Sequence, residues 1–137
     1  MFTKNAKVEQ LRKVPLFSDC SRRELAEIAT IADEIRFPQG QTLMKEGEVG
    51  REFVIVVDGS VEILRGGRRV PVIGGSSFFG EASLLTGTPR NATVITTSPV
   101  RALVITARAF GRFLSDSPTI QRKILSALAA RLPVPPD

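Results

Sequence analysis

From Arg36 to Thr106 the sequence reads with a period of two and is interrupted by glycine or proline every few residues. Short β-type runs fall at residues 41–44, 52–57, 60–65, 69–73, 92–97 and 101–106. They are separated by Gly40, Gly47, Asp58-Gly59, Gly66-Gly67, Gly74-Gly75 and Ser98-Pro99. Strands this short and this closely spaced leave no room for the crossover helices that parallel neighbours need. The middle of the chain is therefore expected to be antiparallel, closed or rolled upon itself. Asp58-Gly59 and Gly66-Gly67 read as hairpin turns, because each offers residues that accept positive φ.

Helical patterns flank this region. Ser21 with Glu24 three positions on makes a capping box, which satisfies two orphan backbone donors at a helix start. Behind it Leu25, Ile28, Ala29, Ala32 and Ile35 recur at helical spacing, with Arg22, Glu27, Asp33 and Glu34 mostly on the other face. Upstream, Val8, Leu11 and Val14 mark a short helix stopped by Pro15, and Leu16 and Phe17 are placed to dock the connection on the core. After the strands, Thr106 can cap a segment carrying Phe110, Phe113 and Leu114, and Ser117-Pro118 reads as an N-cap followed by proline at the first helical position. Ile120, Ile124, Leu128 and Leu132 then line one face until Pro133 stops the helix. The expected fold is α+β: an antiparallel β-roll of jelly-roll type flanked by N-terminal and C-terminal helices. One domain spans residues 1–137, with helix over about 5–35, β-roll over about 36–106 and C-terminal helices over about 107–132.

Composition removes whole classes of chemistry. Hydrophobic residues make up 42% and charged residues 24%, the balance of one globular domain rather than of a disordered chain. Histidine is absent and Cys20 is the one cysteine. That excludes zinc sites of the Cys/His type, histidine-based metal centres, Ser-His-Asp and Cys-His nucleophiles and internal disulfides. No catalytic residue and no metal ligand is assigned. The longest uncharged stretch, from Val70 to Gly80, is far short of the ~20 residues a membrane span needs, and the N-terminus lacks the apolar core of a signal peptide. A cytoplasmic location without a membrane partner is expected. The net charge of +5 comes from 19 basic and 14 acidic residues. Its one cluster, Arg65, Arg68 and Arg69 around Gly66-Gly67, reads as solvated charge at a hairpin tip rather than a stripe that tracks phosphates.

One stretch, from Phe79 to Val94, resists a plain β reading. It places a glycine, then a short run with helical potential, then an arginine directly before a new strand. Such an order can hold an anion. Gly80 lets the backbone approach closely, and the amides of Ala82 and Ser83 would open a one-turn helix whose N-terminus favours negative charge. Arg90 would supply a forked, permanent cation to the same phosphate. Glu81 would repel phosphate and suits instead a hydroxyl donor such as a ribose 2′-OH. The residues alone leave a plain alternative open, in which Glu81 pairs with Arg90 and Gly80 is an ordinary turn glycine.

The whole string is more specific than its parts. It closely resembles the phosphate-binding cassette of cyclic nucleotide-binding domains, the family of the bacterial catabolite activator and the kinase regulatory subunits. That family's pattern is Phe-Gly-Glu, two small or apolar residues, Leu-Leu, a variable stretch and Pro-Arg-x-Ala-Thr-Val. It is matched at Phe79, Gly80, Glu81, Leu84, Leu85, Pro89, Arg90, Ala92, Thr93 and Val94. Gly40, Leu43, Gly47, Phe53-Val54-Ile55, Gly59 and Val61 also sit where the family places its β-roll glycines and apolar positions, so the resemblance runs from about Leu16 to Leu132.

The resemblance implies a cyclic nucleotide ligand held at Gly80, Glu81, Ala82, Ser83, Arg90, Asn91 and Ala92. Arg90 would pair with the cyclic phosphate, Glu81 would accept from the ribose 2′-OH, and the amides of Gly80, Ala82 and Ser83 would line phosphate and sugar. It also implies a lid, with Leu128 and Leu132 swinging over the base. Three positions depart from the pattern: Ser76-Ser77 in place of Gly-Asp, Ala82 in place of a larger aliphatic residue, and Asn91 where cAMP binders tend to have Ala or Ser and cGMP binders often Thr. None removes a charged contact, and the expected ligand is cAMP, with cGMP discriminated only modestly. The expected role is a stand-alone regulatory or sensor module, not an enzyme and without a further cofactor, acting on an unnamed protein effector or as a homodimer. The alternatives are a sensor fragment of a larger transcription factor, channel or enzyme, or a degenerate domain that keeps the fold without the ligand. Related bacterial activators carry a helix-turn-helix after this domain. Few residues follow Leu132, so no nucleic-acid binding by this chain alone is expected.

Overall fold

The structure is a computed structural model that describes residues 2–73, 77–84, 87 and 89–130. Helix α1 (Lys4–Arg12) leads through a 3-10 turn (Pro15–Phe17) to α2 (Arg22–Ala29). Eight strands follow: β1 (Asp33–Phe37), β2 (Thr42–Met44), β3 (Glu52–Asp58), β4 (Ser60–Arg65), β5 (Arg68–Ile73), β6 (Ser77–Phe79), β7 (Thr93–Thr96) and β8 (Val100–Thr106). A second 3-10 turn (Glu81–Leu84) separates β6 from β7, and α3 (Ala107–Ser115) and α4 (Pro118–Ala130) complete the order. The strands form two four-stranded antiparallel sheets, β1-β8-β3-β6 and β2-β7-β4-β5. This is the expected antiparallel β-roll with helices at both ends.

The local signals act where they were read. Ser21 accepts from the Glu24 amide and Glu24 accepts from the Ser21 amide, closing the capping box of α2. Thr106 caps α3 by accepting from the Ala109 amide. Leu16 and Phe17 are fully buried, and the Phe17 ring meets Phe53 edge-on and Phe110 at a tilt.

Three layers result. Phe53 and Ile55 of β3 and Leu103 and Ile105 of β8 face the helices, in one core with Leu11, Leu25, Ile28, Phe110 and Ile124. The alternate residues, Val54 and Val56 with Ala102 and Val104, face the second sheet and pack on Met44, Val61 and Val94. Being covered on both faces, β3 and β8 carry continuous apolar runs rather than an alternating pattern. Thr96 is a buried polar residue in this layer, and it is satisfied: its hydroxyl accepts from Gln41 N and donates to Pro38 O.

Two expectations are corrected. The helical spacing through Ile35 does not produce a helix to that point: α2 ends at Ala29, and Ile35 lies in β1, exposed and paired with Ala102 of β8. The exposed edge of β8 supplies backbone partners that outweigh a spacing coincidence over one extra turn. Gly66-Gly67 does close the β4–β5 hairpin, both residues having positive φ. Asp58-Gly59 does not close a hairpin: β3 pairs with β6 and β8 while β4 pairs with β5 and β7, so the turn carries the chain from one sheet to the other. Gly59 is needed there because φ is +105 and a Cβ would lie 2.4 Å from the Pro99 carbonyl oxygen. Strand β6, which the repeating pattern did not mark, leads directly into the Gly80 segment.

Candidate functional site

Strand β6 delivers Phe79 alongside Val54 of β3, and the chain then turns at Gly80 with φ +83. The 3-10 turn that Glu81 opens packs against β3 and α3. The backbone of Ala82 and Ser83 belongs to this turn, the Glu81 side chain is half-buried, and Leu84 is anchored in the helical core.

Arg90 approaches from the opposite side. Its amide donates to Glu48 O at 2.8 Å and its carbonyl accepts from Gly47 N at 2.9 Å, while Val49 bridges Pro89. These contacts fix the Arg90 main chain to the loop between β2 and β3. Its side chain lies across the start of β3, where Nη2 donates to the Glu52 carbonyl at 2.6 Å. A Cβ on Gly80 would lie 2.1 Å from Arg90 Nη1 and 2.6 Å from Glu52 O, so the absence of a side chain at Gly80 is what lets the cassette backbone and the guanidinium meet. A Cβ on Gly50 would lie 1.7 Å from Arg90 Nε.

Partial burial lowers the pKa of Arg90, and the neighbouring Glu52 carboxylate acts in the opposite direction. A guanidinium keeps its proton through such a shift. The half-buried cation borders a cleft of about 220 Å³, whose lining includes Leu43, Met44, Val49, Gly50, Glu52 and Arg90. Val49 stands exposed in this loop. Lys45, Glu48 and Arg51 line it too, so the cleft joins cations and carboxylates to apolar Leu43, Met44 and Val49 and can take a small anion that carries an apolar body.

The predicted residues therefore fall as follows. Gly80 and Arg90 are brought together on Glu52. Asn91 is exposed directly after Arg90, and Ala92 is buried, so its side chain belongs to packing. Thr93 Oγ1 accepts from Glu46 N at 3.0 Å, a further tie between the same loop and the cassette. Leu128 packs partly buried on the helical core beside buried Ile120 and Ile124. Leu132, Leu85 and Ser76 lie outside the described residues. Sequence reading missed Gly50 and the Glu52 carbonyl. Gly47 and Gly50 stand three residues apart in one loop, but no local pattern links that loop to a distant arginine.

Comparison with known proteins bears on the family and the fold. The sequence model described as "Cyclic nucleotide-binding domain" matches residues 34–117. A CRP-like cAMP-activated global transcriptional regulator of Mycobacterium tuberculosis is 31% identical over 132 residues, covering 90% of this chain and 58% of the regulator. A cGMP-dependent protein kinase of Eimeria tenella is 35% identical over 95 residues, 69% of this chain and 10% of the kinase. The chain thus spans little more than half the length of the first relative and a small part of the second. Among solved structures, the N-terminal domain of a transcriptional regulator from Streptomyces coelicolor A3(2) superposes with a TM-score of 0.79 at 30% identity, covering 89% of this chain and 91% of that one.

Proposed function

The chain belongs to the family of cyclic nucleotide-binding domains, and from that premise we propose that it binds cAMP as a regulatory or sensor module. The observation that carries the proposal is the Arg90 guanidinium, held against Gly80 and the Glu52 carbonyl beside an open cleft. In this reading Arg90 pairs with the cyclic phosphate, and the amides of Gly80, Ala82 and Ser83 line phosphate and sugar. Glu81 accepts from the ribose 2′-OH. The chain's own residues here do one job: they bind an anion and orient the sugar.

The base is a finer question, because the relatives include both a cAMP-activated and a cGMP-dependent protein. Asn91 bears on it. Its exposed amide oxygen can accept from the exocyclic amine of guanine, but one neutral hydrogen bond contributes about 0.5–1.5 kcal/mol, roughly two- to tenfold in affinity. Stacking and apolar contact with adenine need no such acceptor. The preference is therefore for cAMP, with discrimination of no more than about tenfold. Calorimetric titration with cAMP and cGMP tests both parts. Heat from cAMP at micromolar concentrations is expected. Heat from neither ligand would favour a domain that keeps the fold without the ligand, and cGMP binding more than about tenfold tighter would reverse the base assignment.

The same module serves a second reading, as the sensor part of a longer regulator. The supporting observation is coverage: the match takes nearly the whole chain and 58% of the mycobacterial regulator. Partners such as DNA or a protein effector would then be engaged through other segments.

A further inference from the structure

Arg90 lies in a slot with a glycine on each side, and the two glycines are not equivalent. On one side Gly80 has φ +83, and a Cβ there would meet the Glu52 carbonyl oxygen at 2.6 Å as well as the guanidinium. Any side chain at that position disturbs the backbone itself. On the other side a Cβ on Gly50 would lie 1.7 Å from Arg90 Nε, 2.0 Å from Cζ and 2.5 Å from Nη2, and no other atom is nearer. Position 50 lacks the left-handed φ that bars an alanine at Gly80, and the three atoms an added Cβ would meet first all belong to the arginine side chain. Arg90 cannot evade by moving its main chain, which is bonded to Glu48 O and Gly47 N of the same loop.

We propose that Gly50 is a positioning residue for the binding site: by lacking a side chain it keeps open the slot in which Arg90 is oriented before the anion arrives. This rests on the reading that Arg90 receives the phosphate. An arginine already held by Glu52 O and flanked by two Cα atoms loses little rotamer freedom when it binds. An arginine pushed out of the slot must be re-ordered by the ligand, and its fork no longer faces the turn at Gly80.

The test is Gly50→Ala made in the native protein and in Arg90→Ala. Three quantities are read: thermal unfolding, cAMP affinity by calorimetry, and the Arg90 Nε–H resonance of ligand-free protein, identified by its loss in Arg90→Ala. Gly50→Ala is expected to unfold at or slightly above the native temperature, since alanine restricts the unfolded chain. It is expected to shift the Nε–H resonance without ligand and to weaken cAMP by about tenfold or more. In the Arg90→Ala background it should weaken binding no further. An unmoved resonance with unchanged affinity overturns the proposal. So does a loss of stability or affinity that is equally large without Arg90, because Gly50 would then serve the loop and not the arginine. If Arg90→Ala itself leaves cAMP affinity intact, the phosphate assignment fails separately, and the resonance still decides whether Gly50 sets the place of Arg90.

Discussion

On the proposal that Arg90 receives the cyclic phosphate, replacing it by alanine should leave that phosphate without its cation, a loss of about 2–5 kcal/mol or roughly 30-fold to several thousand-fold in affinity. The fold should persist, since the side chain is half-buried against glycines and a carbonyl and belongs to neither apolar core. Calorimetry on the folded variant checks this, and an unchanged dissociation constant removes Arg90 from the site. Glu81→Gln should cost less, because an amide oxygen still accepts from a 2′-OH; the control is a 2′-deoxy nucleotide, which the native and variant proteins should bind alike. Gly80, Glu81 and Arg90 were legible as candidates because they sit within one short string that as a whole resembles the family's cassette, although its residues taken singly also fit an ion pair and a plain turn. Gly50 was not. Its role exists only after β3 and the cassette have been brought together, and no residue near it in sequence signals that contact.

Elements show the same division between local and distant causes. The capping box of α2 is local, and Ser21→Ala should cost about 0.5–2 kcal/mol in urea unfolding. Glu24 has a second partner that spacing could not reveal: it pairs with Lys123 of α4 and so ties the two helical regions together. The Lys123 hydrogen bond, then the Ser21 amide, hold its carboxyl below the usual glutamate range. A depressed folded pKa means that this contribution is fully present above the unfolded value of about 4.3 and is lost as pH falls through the folded value. The stability gap between native protein and Glu24→Gln should therefore narrow on acidification below about pH 4, as followed by unfolding midpoints. The two glycine turns separate in another way. Gly67 has open space around its missing Cβ, so Gly67→Ala carries only the left-handed backbone cost of about 1–2 kcal/mol. Gly59→Ala adds a collision with the Pro99 carbonyl and should be clearly worse. Both turns look alike in sequence, because a hairpin and a crossing between sheets ask the same thing of φ. Strand β1 was misread for a related reason: its pairing with β8 joins residues far apart in the chain, and a helical spacing can arise by coincidence over a few positions.

At the scale of the whole molecule, the cassette is mechanically continuous with the C-terminal helices. The Glu81–Leu84 turn packs on α3, α3 packs on α4, and α4 is bound to α2 through Lys123 and Glu24. Leu84 joins the same core as Phe110, Ile120 and Ile124, so a ligand that draws the turn toward Arg90 pulls on residues that seat α4. The helix is not seated evenly. Ile120 and Ile124 are fully buried, Leu128 only partly, and Leu125 is exposed, so the near half is fixed by the core while the far half is held by fewer apolar contacts. Local opening follows such differences in burial. Ligand binding should therefore act on the far half: the amide of Leu128 should gain hydrogen-exchange protection with cAMP bound, while that of Ile124, in the second turn of α4 and on a fully buried residue, should be protected in both states. Arg90→Ala should show no such gain at the same nucleotide concentration, which separates an effect of the bound phosphate from nonspecific stabilisation. Equal protection along α4 with and without nucleotide would instead make the helix a fixed strut. Its apolar stripe would then serve only to cover the sheet, and any signal from the cassette would have to leave through another surface.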